Sequence, residues 1–171
     1  MTIALAGRRI DAPGAETPRF PIENVPMVRR RIRAMLESHR PSALVCAAAC
    51  GADLLALSEA GAMGLRRRLI LPFERERFRE TSVVDRPGDW GPLYDKILDE
   101  VECVVLTGKG EGTEAYVATN LAIFDEAEKL DTQVTAVLIW DAVSRGNADL
   151  TADFGDEARR RGLAVVEINT L

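Results

Sequence analysis

ALVCAAACGADLLALSEAGAM, residues 43–63, joins a short apolar run to a longer apolar segment through one glycine. The run Ala43–Ala47 does not alternate between polar and apolar residues, which is typical of a strand buried on both faces of a parallel sheet. From Ala52 to Met63 the segment is apolar nearly all round, which predicts a central, buried helix. A buried strand followed at once by a buried helix indicates an α/β protein.

The same alternation of apolar runs and helical segments extends along the whole chain. The predicted buried strands are Ile3–Ala6, Ala43–Ala47, Arg68–Leu71, Cys103–Thr107, Thr135–Trp140 and Ala164–Ile168. The predicted helices are Pro26–Arg40, Ala52–Met63, Trp90–Val101, Thr113–Leu130 and Asp153–Arg161. We therefore expect a Rossmann-like, doubly wound α/β fold, with a mainly parallel sheet of about six strands and helices on both faces.

The spacing of apolar residues indicates which helix faces enter the core. On the first helix the predicted core residues are Val28, Ile32, Met35 and Leu36. On the fourth they are Val117, Leu121, Phe124 and Ala127. The segment Pro72–Asp89 shows neither pattern and is longer than an ordinary loop, so we expect an irregular and functional segment there.

The composition excludes several classes of protein. The chain has 171 residues with a net charge of −5, 47% hydrophobic and 5% aromatic residues, as expected for one globular domain over residues 1–171. One histidine and three cysteines do not suffice for a zinc site or a Cys-His pair, and we expect neither metal nor cofactor. The acidic balance and the few aromatics argue against nucleic acid as a partner. Without a signal sequence or membrane span, the chain is expected in the cytoplasm.

Ligands of parallel α/β sheets bind beyond the carboxyl ends of the strands, where the strand order reverses. Three glycine-bearing turns follow predicted strands, and two of them lead into helix N-termini that favour an anion. The candidate ligand-binding residues in these turns are Gly7, Arg8, Arg9 and Asp11 after the first strand, Gly51, Ala52 and Asp53 after the second, and Thr107, Gly108, Gly110, Gly112 and Thr113 after the fourth. A glycine-rich turn by itself is equally compatible with ordinary turn chemistry.

Polar side chains on two helices extend this candidate site. Thr113, Tyr116 and Asn120 share one face of the fourth helix, where they are suited to contact a ribose or a base. Tyr116 is equally suited to pack in the core. Glu59 lies on the buried helix and needs a partner there, because an isolated internal carboxylate is costly. An arginine of the first loop or a ribose diol would satisfy it.

With these residues identified, the chain resembles the SLOG superfamily, whose Rossmann-like domains are related to LOG (lysine-decarboxylase-like) proteins and to DprA. The resemblance is carried by GRRIDAPG at 7–14, RFP at 19–21, AACGADLL at 48–55, LPF at 71–73 and TADF at 151–154. It extends over nearly the whole chain. It implies recognition of a nucleotide or a nucleotide-derived phosphorylated ligand, as in bacterial signalling, by a protein that senses this ligand. Since relatives commonly self-associate, it also implies a homo-oligomer, such as a homodimer.

Two positions depart from the family pattern. Arg8 stands where this branch usually has histidine, so any role of that histidine does not carry over, whereas Arg9 does. LOG enzymes, which cleave the N-glycosidic bond of nucleoside monophosphates, carry P-G-G-x-G-T-x-x-E. Here Gly110, Gly112 and Thr113 match the phosphate turn, but Tyr116 occupies the place of the glutamate. The resemblance therefore implies binding without efficient hydrolysis, which favours a binding protein over an enzyme.

Two alternatives stay open. The first is a LOG-like phosphoribohydrolase, in which Glu59, Glu111 or Glu114 replaces the missing carboxylate. The second is a single-stranded nucleic-acid module, by analogy with DprA, which the net charge of −5 disfavours.

Overall fold

The protein folds into one six-stranded parallel sheet covered by helices on both faces, in a computed structural model that describes residues 1–108 and 110–171. The strands are β1 (Thr2–Gly7), β2 (Ala43–Cys46), β3 (Arg66–Leu71), β4 (Glu102–Val105), β5 (Val134–Trp140) and β6 (Ala164–Asn169). The helices are α1 (Val25–His39), α2 (Ala52–Ala62), α3 (Arg75–Ser82), α4 (Gly91–Glu100), α5 (Thr113–Leu130) and α6 (Leu150–Arg160). The predicted Rossmann-like α/β fold is confirmed.

The strand order β4-β3-β2-β1-β5-β6 defines where the sheet changes direction. From β1 the chain adds β2, β3 and β4 on one side, and then crosses back to place β5 on the other side of β1. The strand order therefore reverses between β1 and β5. In open parallel sheets this point forms a crevice at the carboxyl ends of the strands.

The core has one layer on each face of the sheet, and successive side chains of each strand enter different layers. On β1, Ile3 and Leu5 pack in the layer formed with α1, α2 and α4, whereas Ala4 packs against the face covered by α5 and α6. The predicted stripe of α1 is confirmed, since Val28, Ile32, Met35 and Leu36 are all buried.

The prediction that every strand is buried on both faces is wrong for β4 and β6. Both are edge strands, and exposed residues occur along each of them, including Glu102 and Val104 on β4 and Glu167 on β6. An apolar run alone does not distinguish a central strand from an edge strand. In β4 and β6 the only charged residues are Glu102 and Glu167, so both strands resemble central ones in sequence.

The expected irregular segment between Pro72 and Asp89 contains helix α3. Its sequence, RERFRETS, is polar nearly all round, and only Phe78 and Ser82 are buried. These two residues lie one helical turn apart. The ring of Phe78 stacks on Tyr94 of α4 with 6.3 Å between centroids, which fixes α3 on the core. Tertiary packing, rather than an amphipathic pattern, stabilises this short helix.

The predicted core face of α5 is half wrong. Phe124 and Ala127 are buried as expected, but Val117 and Leu121 are 41% and 39% exposed. The buried side chains nearer the N-terminus of the helix are Ala115, Thr119 and Ile123. The helix therefore presents small and polar residues towards the sheet where it approaches the carboxyl ends of the strands.

Helix α6 begins at Leu150, three residues before the predicted start. Asp149 is its N-cap, and its side chain accepts hydrogen bonds from the backbone N–H groups of Thr151 and Ala152.

Across residues 1–108 and 110–171, none of the helices combines the length and the apolar character needed to cross a membrane.

Candidate functional site

A cavity of about 710 Å³ opens at the carboxyl ends of the strands, beside the point where the strand order reverses. It is lined by the turn after β1, the first turn of α2, the end of α3, the N-terminal half of α5 and the loop between β5 and α6. Among the sequence-predicted residues, Gly7, Arg8, Arg9, Asp11, Asp53, Gly112, Thr113, Tyr116 and Asn120 line it.

Close backbone packing holds the floor of the cavity. A Cβ atom on Gly7 would lie 2.7 Å from the carbonyl oxygen of Ile139, so β1 and β5 approach too closely there for any side chain. Gly51 has a φ of +94°, and a Cβ atom there would lie 2.9 Å from the carbonyl oxygen of Arg8. Only glycine fits both conditions at Gly51, which brings the start of α2 against the turn after β1. Gly51 and Ala52 are themselves buried and do not line the cavity.

Arg8 holds the loop after β5 in place. Its Nε donates to Asp141 at 2.8 Å, and its two terminal nitrogens donate to both oxygens of Asp149 at 2.5 and 2.9 Å and to the carbonyl of Val143 at 2.8 Å. Four of its five N–H groups are thus engaged. Burial alone would raise the pKa of Asp149, but the hydrogen bonds from Arg8 and from backbone N–H groups bring it below its usual value. The guanidinium of Arg8 therefore has little capacity left for a ligand.

Arg9 reaches the other side of the cavity. It donates to the carbonyl of Thr81 at 3.2 Å and forms an ion pair with Asp85. Arg86 also contacts Asp85, with 3.4 Å between Arg86 Nε and the carboxylate. The Nε atoms of Arg9 and Arg86 are both buried and make no hydrogen bond with the protein. Both Nε atoms are closed to solvent, but two guanidinium groups that share one carboxylate retain other N–H donors for an acceptor on a ligand.

Asp53 is the most perturbed carboxyl of the site. Burial raises its pKa to about 7, although the Ala49 N–H, 3.1 Å from its Oδ2, and the charge of Arg9 act in the opposite direction. Asp53 lies in the first turn of α2 and lines the cavity, where the residue is only 6% exposed and its carboxyl changes protonation near neutral pH. Such a group can donate or accept a proton.

Asp11 orders the loop that follows β1. Its two carboxylate oxygens accept the backbone N–H groups of Arg19 and Phe20 at 2.9 and 3.1 Å. This places the Arg19 guanidinium 2.6 Å from Asp141 and 2.8 Å from the carbonyl of Val143. Asp11 and Arg19 both line the cavity.

The N-terminus of α5 faces the cavity from the opposite wall. Gly112 precedes the helix with an ordinary φ of −89°, and a Cβ atom there would meet nothing within 4 Å. Tyr116 packs as one of the two expectations had it, since its ring meets Phe73 edge-on at 5.8 Å, while its hydroxyl lies 3.1 Å from Ser82 Oγ and the residue lines the cavity. The Nδ2 of Asn120 donates to the carbonyl of Leu150 at 2.9 Å.

Two of the predicted carboxylates are paired with arginines, and several predicted residues lie away from the cavity. Glu59 is buried but pairs with Arg29 and Arg33 of α1, each at 2.7 Å, so its partners come from a helix and not from the first loop. Glu111 lines the cavity and pairs with Arg77 at 2.9 Å. The remaining predicted positions, Thr107, Gly108, Gly110 and Glu114, are exposed and do not line the cavity.

Three arginines of the cavity were not predicted, namely Arg19, Arg86 and Arg145. Arg19 and Arg86 lie far along the chain from the strand ends that precede them. Arg145 follows β5, and the rule that places sites after strands applies to this loop as well as to the other three. The loop after β5 has no glycine-rich turn next to the strand, so the glycine pattern did not indicate Arg145 as a site residue.

In the described part of the chain, no cluster of three or more His, Cys, Asp and Glu side chains could hold a metal ion.

Comparisons with known proteins add little to this description. No family model and no curated protein matches the chain. Among solved structures, the chain is similar to DNA processing protein A (DprA) from Streptococcus pneumoniae, with 14% sequence identity and a TM-score of 0.38. The match covers 96% of this chain and 58% of that one. The parallel sheet and its strand order, rather than this likeness, establish the Rossmann-like fold.

Proposed function

We propose that the cavity binds a nucleotide or a nucleotide-derived phosphorylated ligand, and that the chain is a SLOG domain of the branch with the G-H/R-R-I-D-A-P-G motif. The observation that carries the proposal is the composition of the cavity wall. Arginines from separate loops and the N-terminus of α5 surround a space of about 710 Å³ at the point where the strand order reverses. Cavities of about 300–1,000 Å³ accommodate ligands of nucleotide size.

Phosphate recognition rests on the side chains that retain donors. Arg9 and Arg86 line the cavity and share the single carboxylate of Asp85, and the Arg145 side chain is half exposed beside Asp149. Guanidinium groups bind phosphoryl oxygens through paired N–H donors. The 18-residue helix α5 adds the positive end of its dipole, and Gly112 leaves room for an anion to approach its first N–H groups.

Sugar and base recognition would involve the polar groups between these arginines. Asp53, Ser82, Tyr116 and Asn120 line the same cavity. They offer carboxyl, hydroxyl and amide groups, which match the donors and acceptors of a ribose or a base. Apolar side chains such as Ile123 complete the wall and suit the faces of a base.

A LOG-like phosphoribohydrolase remains the second candidate, because Asp53 is a cavity carboxyl whose pKa is about 7. A general acid works best when its pKa is near the working pH. Under this alternative the acid-base role moves from Glu59 and Glu114, which do not line the cavity, to Asp53. Binding without turnover stays the first candidate, since Tyr116 occupies the position of the LOG glutamate.

As the SLOG resemblance implies, the chain would sense or carry this nucleotide-like ligand. A homodimer, a cytoplasmic location and the absence of nucleic acid as a partner stay predictions.

The test is to identify what the purified protein carries. The wild-type chain, Arg145→Ala and the control Arg159→Ala are purified in parallel, denatured, and their extracts compared by liquid chromatography and mass spectrometry. Arg159 is a matched control, because its side chain is 51% exposed and ion-paired like that of Arg145 at 50%, but it does not line the cavity. We expect a phosphorylated nucleoside derivative from the wild type and the control, and a depleted amount from Arg145→Ala. Equal amounts of every phosphorylated compound in all three extracts would contradict the proposal.

A further inference from the structure

The arginines of the cavity form two clusters, and the first is the Asp85 cluster of Arg9, Asp85 and Arg86. Both arginines contact the same carboxylate. One negative charge thus faces two positive charges. The cluster carries a net charge of +1 within its ion pairs.

The second is the Asp149 cluster of Arg8, Arg19, Asp141, Arg145 and Asp149. Arg8 pairs with both carboxylates, Arg19 pairs with Asp141 at 2.6 Å, and the Nε of Arg145 lies 3.6 Å from Asp149. Three positive charges face two negative charges. This cluster therefore also carries a net charge of +1 within its ion pairs.

The two clusters start from consecutive residues of the turn after β1 and extend to different elements, since Arg9 pairs with Asp85 and Arg8 pairs with Asp141 and Asp149. Asp85 and Arg86 follow α3, which comes after β3, whereas the Asp149 cluster is built on the loop after β5. In the sheet, β3 and β5 are separated by three strand spacings, β3-β2-β1-β5. Arginines of both clusters line the cavity.

We propose that the ligand carries two separate phosphoryl groups, one for each cluster, with its sugar and base between them. This inference rests on the proposed function and narrows its ligand class. A single phosphoryl group at one cluster would leave the excess positive charge of the other without a counter-charge. A ligand of this kind is a nucleoside phosphorylated at two positions of its sugar, such as a nucleoside 3′,5′-bisphosphate.

The carboxyls on the cavity wall do not replace the second phosphoryl group. Both oxygens of Asp11 are used by backbone N–H groups, and Glu111 is paired with Arg77. Asp53 is buried, and its Oδ2 accepts the Ala49 N–H at 3.1 Å. The arginines of the two clusters therefore keep their capacity for an anionic ligand.

The test compares matched ligands by isothermal titration calorimetry. Each of the four common nucleosides is used as its 5′-monophosphate and as its 3′,5′-bisphosphate at constant salt. A charge-assisted contact contributes about 1.5–3 kcal/mol, so we expect the bisphosphate of the preferred base to bind about 10- to 100-fold more tightly than the monophosphate. Arg86→Ala and Arg145→Ala should each remove most of this advantage, whereas Arg159→Ala should retain it.

The outcomes separate this inference from the proposed function. If a monophosphate binds, and its bisphosphate binds no more tightly, the two-phosphoryl ligand is excluded while the nucleotide site stands. If one cluster variant loses affinity for both ligands and the other for neither, the second cluster has no role and the inference is again wrong. If none of the eight ligands binds, the proposed function fails together with it.

Discussion

Replacing Asp53 with Asn should make the protein more stable above neutral pH. Asp53 is buried, and its pKa of about 7 lies well above the value of 3.8 in an unfolded chain. Between these two pH values the folded state holds a proton that the unfolded state has released. The free energy of unfolding therefore falls as the pH rises from about 4 to about 7, and the contribution is constant above that. Asn removes the titration and keeps a side-chain oxygen for the Ala49 N–H.

The difference in pKa sets the size of the effect. A shift of about 3 pKa units corresponds to about 4 kcal/mol, at 1.36 kcal/mol for each unit. At pH 4 the folded state of both proteins has a neutral side chain at position 53, and Asp53 of the unfolded chain has only begun to ionise, so their stabilities should be similar apart from a constant offset. At pH 8 the variant should gain up to about 4 kcal/mol relative to that offset. The charge of Arg9, which favours the ionised form, and the thiol of Cys46 are the charged or titratable groups that act on Asp53 in the folded protein.

Urea denaturation at pH 4, 5, 6, 7 and 8 measures this difference. All other titrating groups are shared by the two proteins, so their contributions cancel in the comparison. The stability difference should grow steadily up to about pH 7 and then level off. A difference that stays the same at every pH would show that Asp53 titrates normally, and would refute the assignment of a buried, proton-exchanging carboxyl to the cavity.

Three further substitutions test other parts of the site. Arg8→Ala should lower the free energy of unfolding by about 3–5 kcal/mol, because the fully buried Asp149 loses its close counter-charge and Asp141 retains only Arg19; an unchanged urea midpoint would contradict this role. Gly112→Val should weaken ligand binding with little change in melting temperature, since the backbone there has an ordinary φ and the new side chain projects into open space; normal affinity in calorimetry would show that the turn is only a connection. Tyr116→Glu should introduce slow release of base from nucleoside monophosphates, detectable by chromatography, whereas release by the wild type at a rate that ignores position 116 would favour the hydrolase.

The sequence predicts the central part of this fold better than its edges. Strands β1, β2 and β5 are apolar on both faces and are buried as predicted. At β4 the apolar run is similar, but its position at the edge depends on strand order, which no local pattern contains. Helix α3 is missed for a related reason, since its contact with the core is limited to Phe78 and Ser82.

The candidate site shows the same division between local and tertiary signals. The sequence predicts a ligand site in the turn after β1 and at the start of α2. Arg9 and Asp53, one from each of these places, do line the cavity. The function of Arg8 was not predictable from its turn, because its partners Asp141 and Asp149 lie more than 130 residues away in sequence. For Glu59 the sequence suggested a ligand contact, because a buried carboxylate needs a partner. In the structure Arg29 and Arg33 of α1 are its partners.

The most direct test of the central claim is to observe the arginine side chains while nucleotides are added. In the 18.7 kDa protein, the Nε–Hε signals of labelled arginines can be followed by NMR during titration with the four nucleoside 5′-monophosphates and their 3′,5′-bisphosphates. We expect the signals of Arg9, Arg86 and Arg145 to shift in a saturable way, with that of Arg159 unchanged. Shifts in none of the three up to millimolar concentration, or equal shifts at Arg159, would contradict nucleotide binding in this cavity.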